Sequence, residues 1–270
     1  VTAGSQVLVA LSIEETLPAA KRKKWTSQRL REANPFSNIM LLLRNGPGLR
    51  GLTCAYTAFA ASQSTWSIQS MYRLGPLGWT TGEQGYFEVP NNFVRSFCGD
   101  KLVMPFLKHA GNRVAFQQGA LVGALSYFLM AVSWMPRGAS KARMAVQYCF
   151  AMFLLQSFPS ACLHAIKAMM INQGVSVCDV GKGKLVAAQS GLGSLAGIVM
   201  PAFVWAPLFK FFQNNGEGQS LRWLRWGPGG HFIVSGGCML LASLILRLTT
   251  GLVISDENQQ KNEAASTKVA

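Results

Sequence analysis

Long apolar stretches recur along this chain, separated by shorter polar connections. A helix that spans a lipid bilayer needs about 20 mostly apolar residues. Stretches of roughly this length occur at Leu49 to Leu74, Val114 to Trp134, Met144 to His164, Leu185 to Phe212 and Phe232 to Ile254, with a less obvious one at Trp79 to Leu107 that polar residues interrupt. A shorter apolar run, Val1 to Ile13, precedes them. This spacing is typical of a polytopic membrane protein.

The continuity of these stretches favours helices over strands. Backbone polar groups in hydrocarbon must be paired within a helix or a closed barrel, and barrel strands are segments of about ten residues with alternating polarity. The sequence therefore predicts an all-α polytopic membrane bundle of six transmembrane helices, together with the end of a preceding helix. The predicted parts are the end of a truncated transmembrane helix at 1–18, a basic cytoplasmic-type linker with an interfacial helix at 19–48, the six-helix bundle at 49–254 and a disordered polar tail at 255–270.

Composition supports a lipid environment. Half of the residues are hydrophobic and only 13% are charged, whereas soluble domains carry about 25% charged residues to cover a water-facing surface. The net charge is +14, and six of the basic residues lie together early in the chain, at Lys21, Arg22, Lys23, Lys24, Arg29 and Arg31. Positive charge beside a membrane helix marks a cytoplasmic loop that attracts anionic headgroups. We therefore expect a lipid bilayer, and not nucleic acid, as the partner of this basic segment.

Motifs of soluble enzymes are missing from the sequence. The six cysteines form no CxxC pair, and the three histidines, His109, His164 and His231, lie far apart along the chain. No glycine-rich phosphate loop, nucleophile elbow or paired set of metal ligands occurs. The sequence predicts a protein without catalytic residues, metal or cofactor.

Polar side chains at helical spacing mark one face of the stretch Leu49 to Leu74. Gln63, Trp66 and Gln69 follow one another at intervals of three residues, which places each pair of neighbours on a common face of a helix. This face is either part of a transport pathway or a surface for hydrogen bonds between helices without any ligand. Arg73, at the end of the stretch, is assigned to the connection that follows.

The stretch Trp79 to Leu107 carries the most unusual polar residues. Glu88, Asn91, Asn92 and Arg95 recur at intervals of three and four, and a charge at the centre of a membrane helix costs about 2.5 to 3.5 kcal/mol. In one interpretation they line a cavity, with Glu88 as proton carrier because burial favours its neutral form. In the other, Arg95 pairs with an acid to hold helices or a partner subunit together.

Several short motifs occur in the order found in one transporter family. They are Glu15-Thr16, Asn34-Pro35, Trp79, Pro105, Gly111-Asn112-Arg113 and the run Gly197 to Pro201. With them the chain resembles the C-terminal half of a major facilitator superfamily transporter, nearest to the drug:proton antiporters of the tetracycline-efflux type. The resemblance covers roughly 1–254 and implies a loop motif at Gly111 and Arg113. The acidic residue that this family carries before that motif is replaced by the segment Phe106 to Lys108.

The resemblance implies a function and a set of partners. A superfamily member places its substrate site between two six-helix halves near the midplane of the bilayer. The chain is therefore expected to be half of a secondary active transporter that moves a small organic solute, coupled to protons in its complete form. Its expected partners are a missing N-terminal half, a second copy or other membrane subunits, in an organellar or plasma membrane. The alternative is a non-transporting structural subunit, derived from a transporter, within a larger membrane complex.

Overall fold

Helices form the regular structure of this chain in a computed structural model that describes residues 35–98, 101, 104–133, 140–215 and 227–252. The α-helices are α1 (Pro35–Arg44), α2 (Pro47–Gln63), α3 (Trp66–Leu74), α4 (Thr81–Cys98), α5 (Met104–Val132), α6 (Lys141–Ser157), α7 (Pro159–Ser176), α8 (Lys182–Met200), α9 (Ala206–Asn215) and α10 (Gly230–Leu248). A π-helical segment, Pro201–Trp205, joins α8 to α9, and 3-10 turns occupy Gly227–Gly229 and Thr250–Leu252. No strand occurs in the described ranges. The predicted all-α class is confirmed.

The centre of the bundle is built from α10, α5, α2 and α7. Helix α10 packs against α5 and α2, and α5 packs against α7. Small residues allow these backbones to approach closely. A Cβ atom added to Gly119 in α5 would lie 2.6 Å from Cys162 Sγ and 3.0 Å from the Phe158 carbonyl oxygen. A larger residue at this position would push α5 and α7 apart.

Contacts between distant residues define two ends of the bundle. At one end, Arg113 Nη2 donates to the Thr250 carbonyl at 3.1 Å, and Gln173 Nε2 donates to the Leu252 carbonyl at 3.3 Å. At the other end, the Tyr72 hydroxyl lies 3.1 Å from Ser133 Oγ. The helices α2–α3, α5 and α10 therefore run between these two ends.

Three helical segments in the described part of the chain are long and apolar enough to cross a membrane. They are His109–Val132, Lys182–Gln213 and Gly227–Leu248. Large apolar side chains are also exposed on the outside of the bundle, including Tyr86, Val89, Phe93, Ile198 and Phe203, and contiguous apolar surface is unfavourable in water. The structure therefore supports a membrane protein with three such helices, and the count of six spans stays a prediction.

Two predicted helices are each divided in the structure. The stretch Leu49 to Leu74 forms α2 and α3 with a break at Ser64 and Thr65. Ser64 N still bonds to the carbonyl four residues back, whereas Thr65 N bonds to the carbonyl three residues back, Ser62 O, at 3.2 Å. The stretch Met144 to His164 divides at Phe158, because Pro159 lacks the N–H group that continues a helical ladder. Helix α7 then continues to Ser176. Periodicity does not mark such breaks, since both sides stay apolar.

Some predicted parts lie outside the described residues. These are the truncated helix at 1–18, the linker at 19–48 up to residue 34, and the polar tail at 255–270.

Candidate functional site

An ion pair between the buried Arg73 and the partly exposed Glu88 joins α3 to α4. Arg73 Nη2 lies 2.6 Å from Glu88 Oε1, and the two side chains are 2% and 30% exposed. Arg73 belongs to the last turn of α3, and Glu88 lies near the middle of α4. A charge that is removed from solvent needs an opposite charge nearby. The pair therefore fixes the side of α4 that faces the bundle.

A tight corner sets the direction of α4. Gly78 adopts a φ of 62°, a left-handed conformation that favours glycine, and Trp79 N donates to the Arg73 carbonyl at 3.0 Å. Helix α4 then begins with a capping box. The Glu83 carboxylate accepts from Thr80 N at 2.6 Å, and Glu83 N donates to Thr80 Oγ1 at 3.2 Å. These local interactions direct Glu88 back toward Arg73.

The two faces of α4 differ in polarity. Tyr86, Val89, Phe93 and Phe97 are exposed and follow helical spacing. The opposite face carries polar groups: Gln84 Nε2 donates to Ser70 Oγ of α3 at 3.1 Å, and Asn91 Nδ2 lies 3.5 Å from Glu88 Oε2 within α4 itself. The large apolar side chains on the outward face suit a lipid environment, while Glu83 and Asn92 are exposed as well and Phe87 packs against the core.

An aromatic cluster adjoins the guanidinium group through Phe87. Arg73 Cζ lies 5.2 Å from the centroid of the Phe87 ring, within the range of a cation–π contact. The Phe87 ring centroid lies 5.3 Å from that of Trp79 and 6.2 Å from that of Tyr148, and the Tyr148 ring also stacks on Tyr72. The ion pair therefore borders a wall of aromatic side chains.

Several polar atoms around the ion pair contact no hydrogen-bond partner within the described part of the chain. They are Arg73 Nε and Nη1, both amide atoms of Gln69, and the Tyr148 hydroxyl. Each of the three side chains is buried. Buried polar groups are nearly always hydrogen-bonded in native proteins, so exceptions call for an explanation such as a bound molecule. We call Gln69, Arg73, Glu88, Asn91 and Tyr148 the polar cluster.

The structure brings together some of the predicted pathway residues. Gln69, Glu88 and Asn91 belong to the polar cluster, whereas Asn92 lies on the exposed side of α4. Trp66 is half-buried against the core at the start of α3. Gln63 ends α2, and its Nε2 atom also contacts no partner among the described residues.

The alternative pairing by Arg95 is not tested, because the Arg95 side chain is outside the described set. Glu88 instead contacts Arg73, which the sequence interpretation assigned to a connection. That assignment is wrong, because α3 extends through Leu74 and the corner begins only at Gly75. The spacing of four residues between Gln69 and Arg73 could have indicated that Arg73 belongs to the helix, since it places both side chains on one helical face. Tyr148, within an apolar run, gave no signal.

The predicted loop motif at Gly111 and Arg113 lies in the first half of α5. Gly111 adopts a φ of 77° inside α5 and separates two helical parts, which only glycine does at low cost. Arg113 donates to the Thr250 carbonyl just beyond the end of α10. A cation there also interacts favourably with the negative end of the helix dipole. The motif thus connects α5 to the end of α10.

A second polar group of residues surrounds the break between α2 and α3. The Trp205 indole Nε1 donates to the Ala61 carbonyl at 3.1 Å, and the Tyr127 hydroxyl donates to the Ser62 carbonyl at 3.0 Å. Thr65 Oγ1 shares a hydrogen bond with Ser235 Oγ. These contacts come from the π segment, α5 and α10. The carbonyl groups freed by the break are therefore satisfied by neighbouring helices, as a membrane requires.

Metal-ligating side chains do not cluster within the described ranges, where no group of three or more His, Cys, Asp or Glu residues is placed to hold an ion. Comparisons with protein-family models, curated proteins and solved structures find no match to this chain. The resemblance to a transporter half therefore rests on the sequence motifs alone.

Proposed function

We propose that this chain is half of a secondary active transporter that moves a small organic solute across a membrane, coupled to protons in its complete form. The observation that carries the proposal is the polar cluster itself. It places a buried guanidinium, a carboxylate, and amide and hydroxyl groups that contact no partner among the described residues inside a bundle whose outer surface is apolar. Ionisable residues inside a membrane bundle are costly, and they typically mark substrate or proton pathways.

Irregular helices next to the cluster support a pathway. The α2–α3 break lies at Ser64 and Thr65, one turn before Gln69. The π segment of the long helix α8–α9 ends at Trp205, whose indole bonds to Ala61 beside that break. Transporters form substrate sites at discontinuous helices, and π-helical segments are frequent at functional sites. The two irregularities thus meet close to the residues proposed to contact solute.

Glu88 has the surroundings of a proton carrier in this proposal. Its side chain is partly exposed, while its partner Arg73 is fully enclosed. A proton can therefore reach the carboxylate from one side, and loss of the negative charge would release Arg73 from the ion pair. Asn91, beside Glu88 Oε2, would keep a hydrogen-bonding group next to the neutral acid.

The test of this function is proton-driven flux through the complete transporter, reconstituted in vesicles, with Glu88→Gln. We expect the variant to lose proton-driven flux, because its amide cannot carry a proton. Glu83→Gln is the matched control, since it makes the same chemical change on the same helix at a fully exposed position. Flux in Glu88→Gln equal to that of the unchanged protein would remove Glu88 from the mechanism.

The structural-subunit alternative is favoured by a different observation. Helix α4 packs mainly against α6 and α3, and its opposite face exposes the apolar residues Tyr86, Val89, Phe93 and Phe97. That face would accept a helix of a larger membrane assembly as well as it accepts lipid. Purification in mild detergent separates the two functions: stoichiometric co-migration with a large complex, without stabilisation by any solute, would favour the subunit.

A further inference from the structure

We infer that Arg73 binds the carboxylate of a small aromatic or apolar acid, in competition with Glu88. This inference rests on the proposed function and deepens it by naming the chemical class of the solute. It draws on three features of the polar cluster: the geometry of the ion pair, the groups beside the guanidinium, and the rings around it.

The ion pair uses only part of the guanidinium. The single close contact joins Arg73 Nη2 to Glu88 Oε1, and the same nitrogen lies 3.4 Å from Ser70 Oγ. Nε and Nη1 contact no acceptor in the described ranges, although both are buried. A bidentate pair between arginine and a carboxylate is the stronger arrangement. Arg73 therefore keeps donors that a second carboxylate can use.

The nearby neutral groups fit a carboxylate as well. Gln69 lies one helical turn before Arg73 on α3, and its amide atoms contact no partner in the part of the chain that the structure describes. The Tyr148 hydroxyl is likewise free of described partners, and the Tyr148 ring shares contacts with Phe87, on which Arg73 packs. An acid bound at Arg73 would give both groups an acceptor, which removes the cost of leaving them unpaired.

The aromatic side chains beside the polar cluster indicate the chemistry of the rest of the bound acid. Trp79, Phe87 and Tyr148 form mutual edge and tilted contacts with centroid distances of 5.3 to 6.2 Å. Aromatic pairs of this kind accept a further ring or an apolar group by stacking and area burial. They offer few hydrogen bonds to a polyhydroxylated solute. The surroundings therefore favour an aromatic or apolar acid over a sugar acid.

Glu88 and a bound acid compete for the same cation. When Glu88 is ionised, the pair is neutral overall and Arg73 attracts a second anion only weakly. When Glu88 is neutral or replaced by glutamine, Arg73 keeps an uncompensated buried charge, which is unfavourable until an anion binds. The affinity for a carboxylate should therefore rise when Glu88 loses its charge.

The inference is tested by equilibrium dialysis of radiolabelled benzoate against the purified full chain in nanodiscs at neutral pH, with empty nanodiscs as background. Benzamide, a neutral molecule of nearly the same shape, is the matched control ligand. We expect saturable binding of benzoate and none of benzamide. Glu88→Gln should bind benzoate about tenfold more tightly or better, since a hydrogen bond to a charged group is worth about 1.5–3 kcal/mol.

Two further variants complete the experiment. Arg73→Gln combined with Glu88→Gln removes both charges without leaving one unpaired, and it should lose benzoate binding while staying folded by circular dichroism. Glu83→Gln should bind benzoate as the unchanged chain does. Absence of saturable binding to the Glu88→Gln chain, equal binding of benzamide, or binding retained in the double variant would each overturn the inference.

The failure of this inference differs from that of the proposed function. If Glu88→Gln stops proton-driven flux of a neutral solute and benzoate does not bind, the transporter proposal stands without the acid. If benzoate binds as expected but no vesicle shows flux with any acid, the site is real and transport is the part that fails.

Discussion

The polar cluster and the α2–α3 break both place polar atoms inside an apolar bundle, but they differ in how those atoms are satisfied. At the break, the carbonyl groups of Ala61 and Ser62 accept hydrogen bonds from Trp205 and Tyr127. In the cluster, atoms of Gln69, Arg73 and Tyr148 contact no partner among the described residues. Satisfied networks stabilise and specify a structure, whereas partly satisfied ones carry a cost. The break is therefore part of the architecture, and the cluster is the candidate site.

The largest expected effect comes from separating the ion pair. Glu88→Leu leaves Arg73 buried without a negative charge, and breaking a buried pair in this way costs about 3–5 kcal/mol. Arg73→Leu should cost less, because the remaining Glu88 carboxylate is 30% exposed and keeps some solvation. The double variant should recover much of the loss, since neither charge is left alone. Thermal unfolding of the four proteins in detergent measures this cycle.

A cycle without recovery in the double variant would mean that packing, and not charge, dominates at Arg73 and Glu88. It would also weaken the inference that another carboxylate can replace Glu88 at Arg73.

Two tyrosines give the sharpest test of the comparison. Tyr127→Phe removes one of the two donors to the Ser62 carbonyl and should destabilise the protein by about 1 kcal/mol, because a buried hydrogen bond is lost while Thr65 N still donates to that carbonyl. Tyr148→Phe removes a hydroxyl without a described partner and should leave the melting temperature unchanged or raise it. The same variant should weaken benzoate binding. Equal destabilisation by the two changes would contradict the contrast between break and cluster.

The smallest expected effect is at the start of α4. The Thr80 backbone N–H, and next its hydroxyl, hold the pKa of Glu83 below its usual 4.5. Because the folded-state pKa is lowered, the carboxylate stabilises the fold above pH 4.5, and this contribution is lost as the pH falls through the lowered value. Glu83→Gln should remove that acid dependence while leaving benzoate binding intact. Melting temperatures of both proteins across the acid range measure this difference. Parallel pH profiles would show that the Glu83 cap does not cause the loss of stability in acid.

Much of the fold could be predicted from residue patterns, and the polar cluster only in part. The short helix α1 and the helical parts of the stretches follow from apolar runs and their breaks at glycine and proline. The inward placement of Glu88 and Asn91 follows from their spacing of three residues within α4. Arg73 was missed because a charge at the end of an apolar run looks the same whether the helix has ended or continues for another turn.

The break at Ser64 and Thr65 was also missed. Serine and threonine hydroxyls bond to nearby carbonyls, as Ser64 Oγ does to the Ala61 carbonyl at 2.6 Å, but both residues keep helical backbone angles. Around the break, Trp205, Tyr127 and Ser235 bond to Ala61, Ser62 and Thr65, and all three lie more than sixty residues away along the chain. Local propensity cannot report interactions of that kind.

By itself, the sequence determined that this protein is helical and that its surroundings are largely apolar, because helix periodicity and hydropathy are properties of neighbouring residues. The packing of the helices determined which basic residue pairs with Glu88, which carbonyls accept hydrogen bonds at the break and which polar atoms contact no partner among the described residues. Those outcomes depend on the corner at Gly78 and on the packing of α5, α6 and α10 around it. A charge finds its partner through the positions of whole helices, and those positions are set only when all of them pack together.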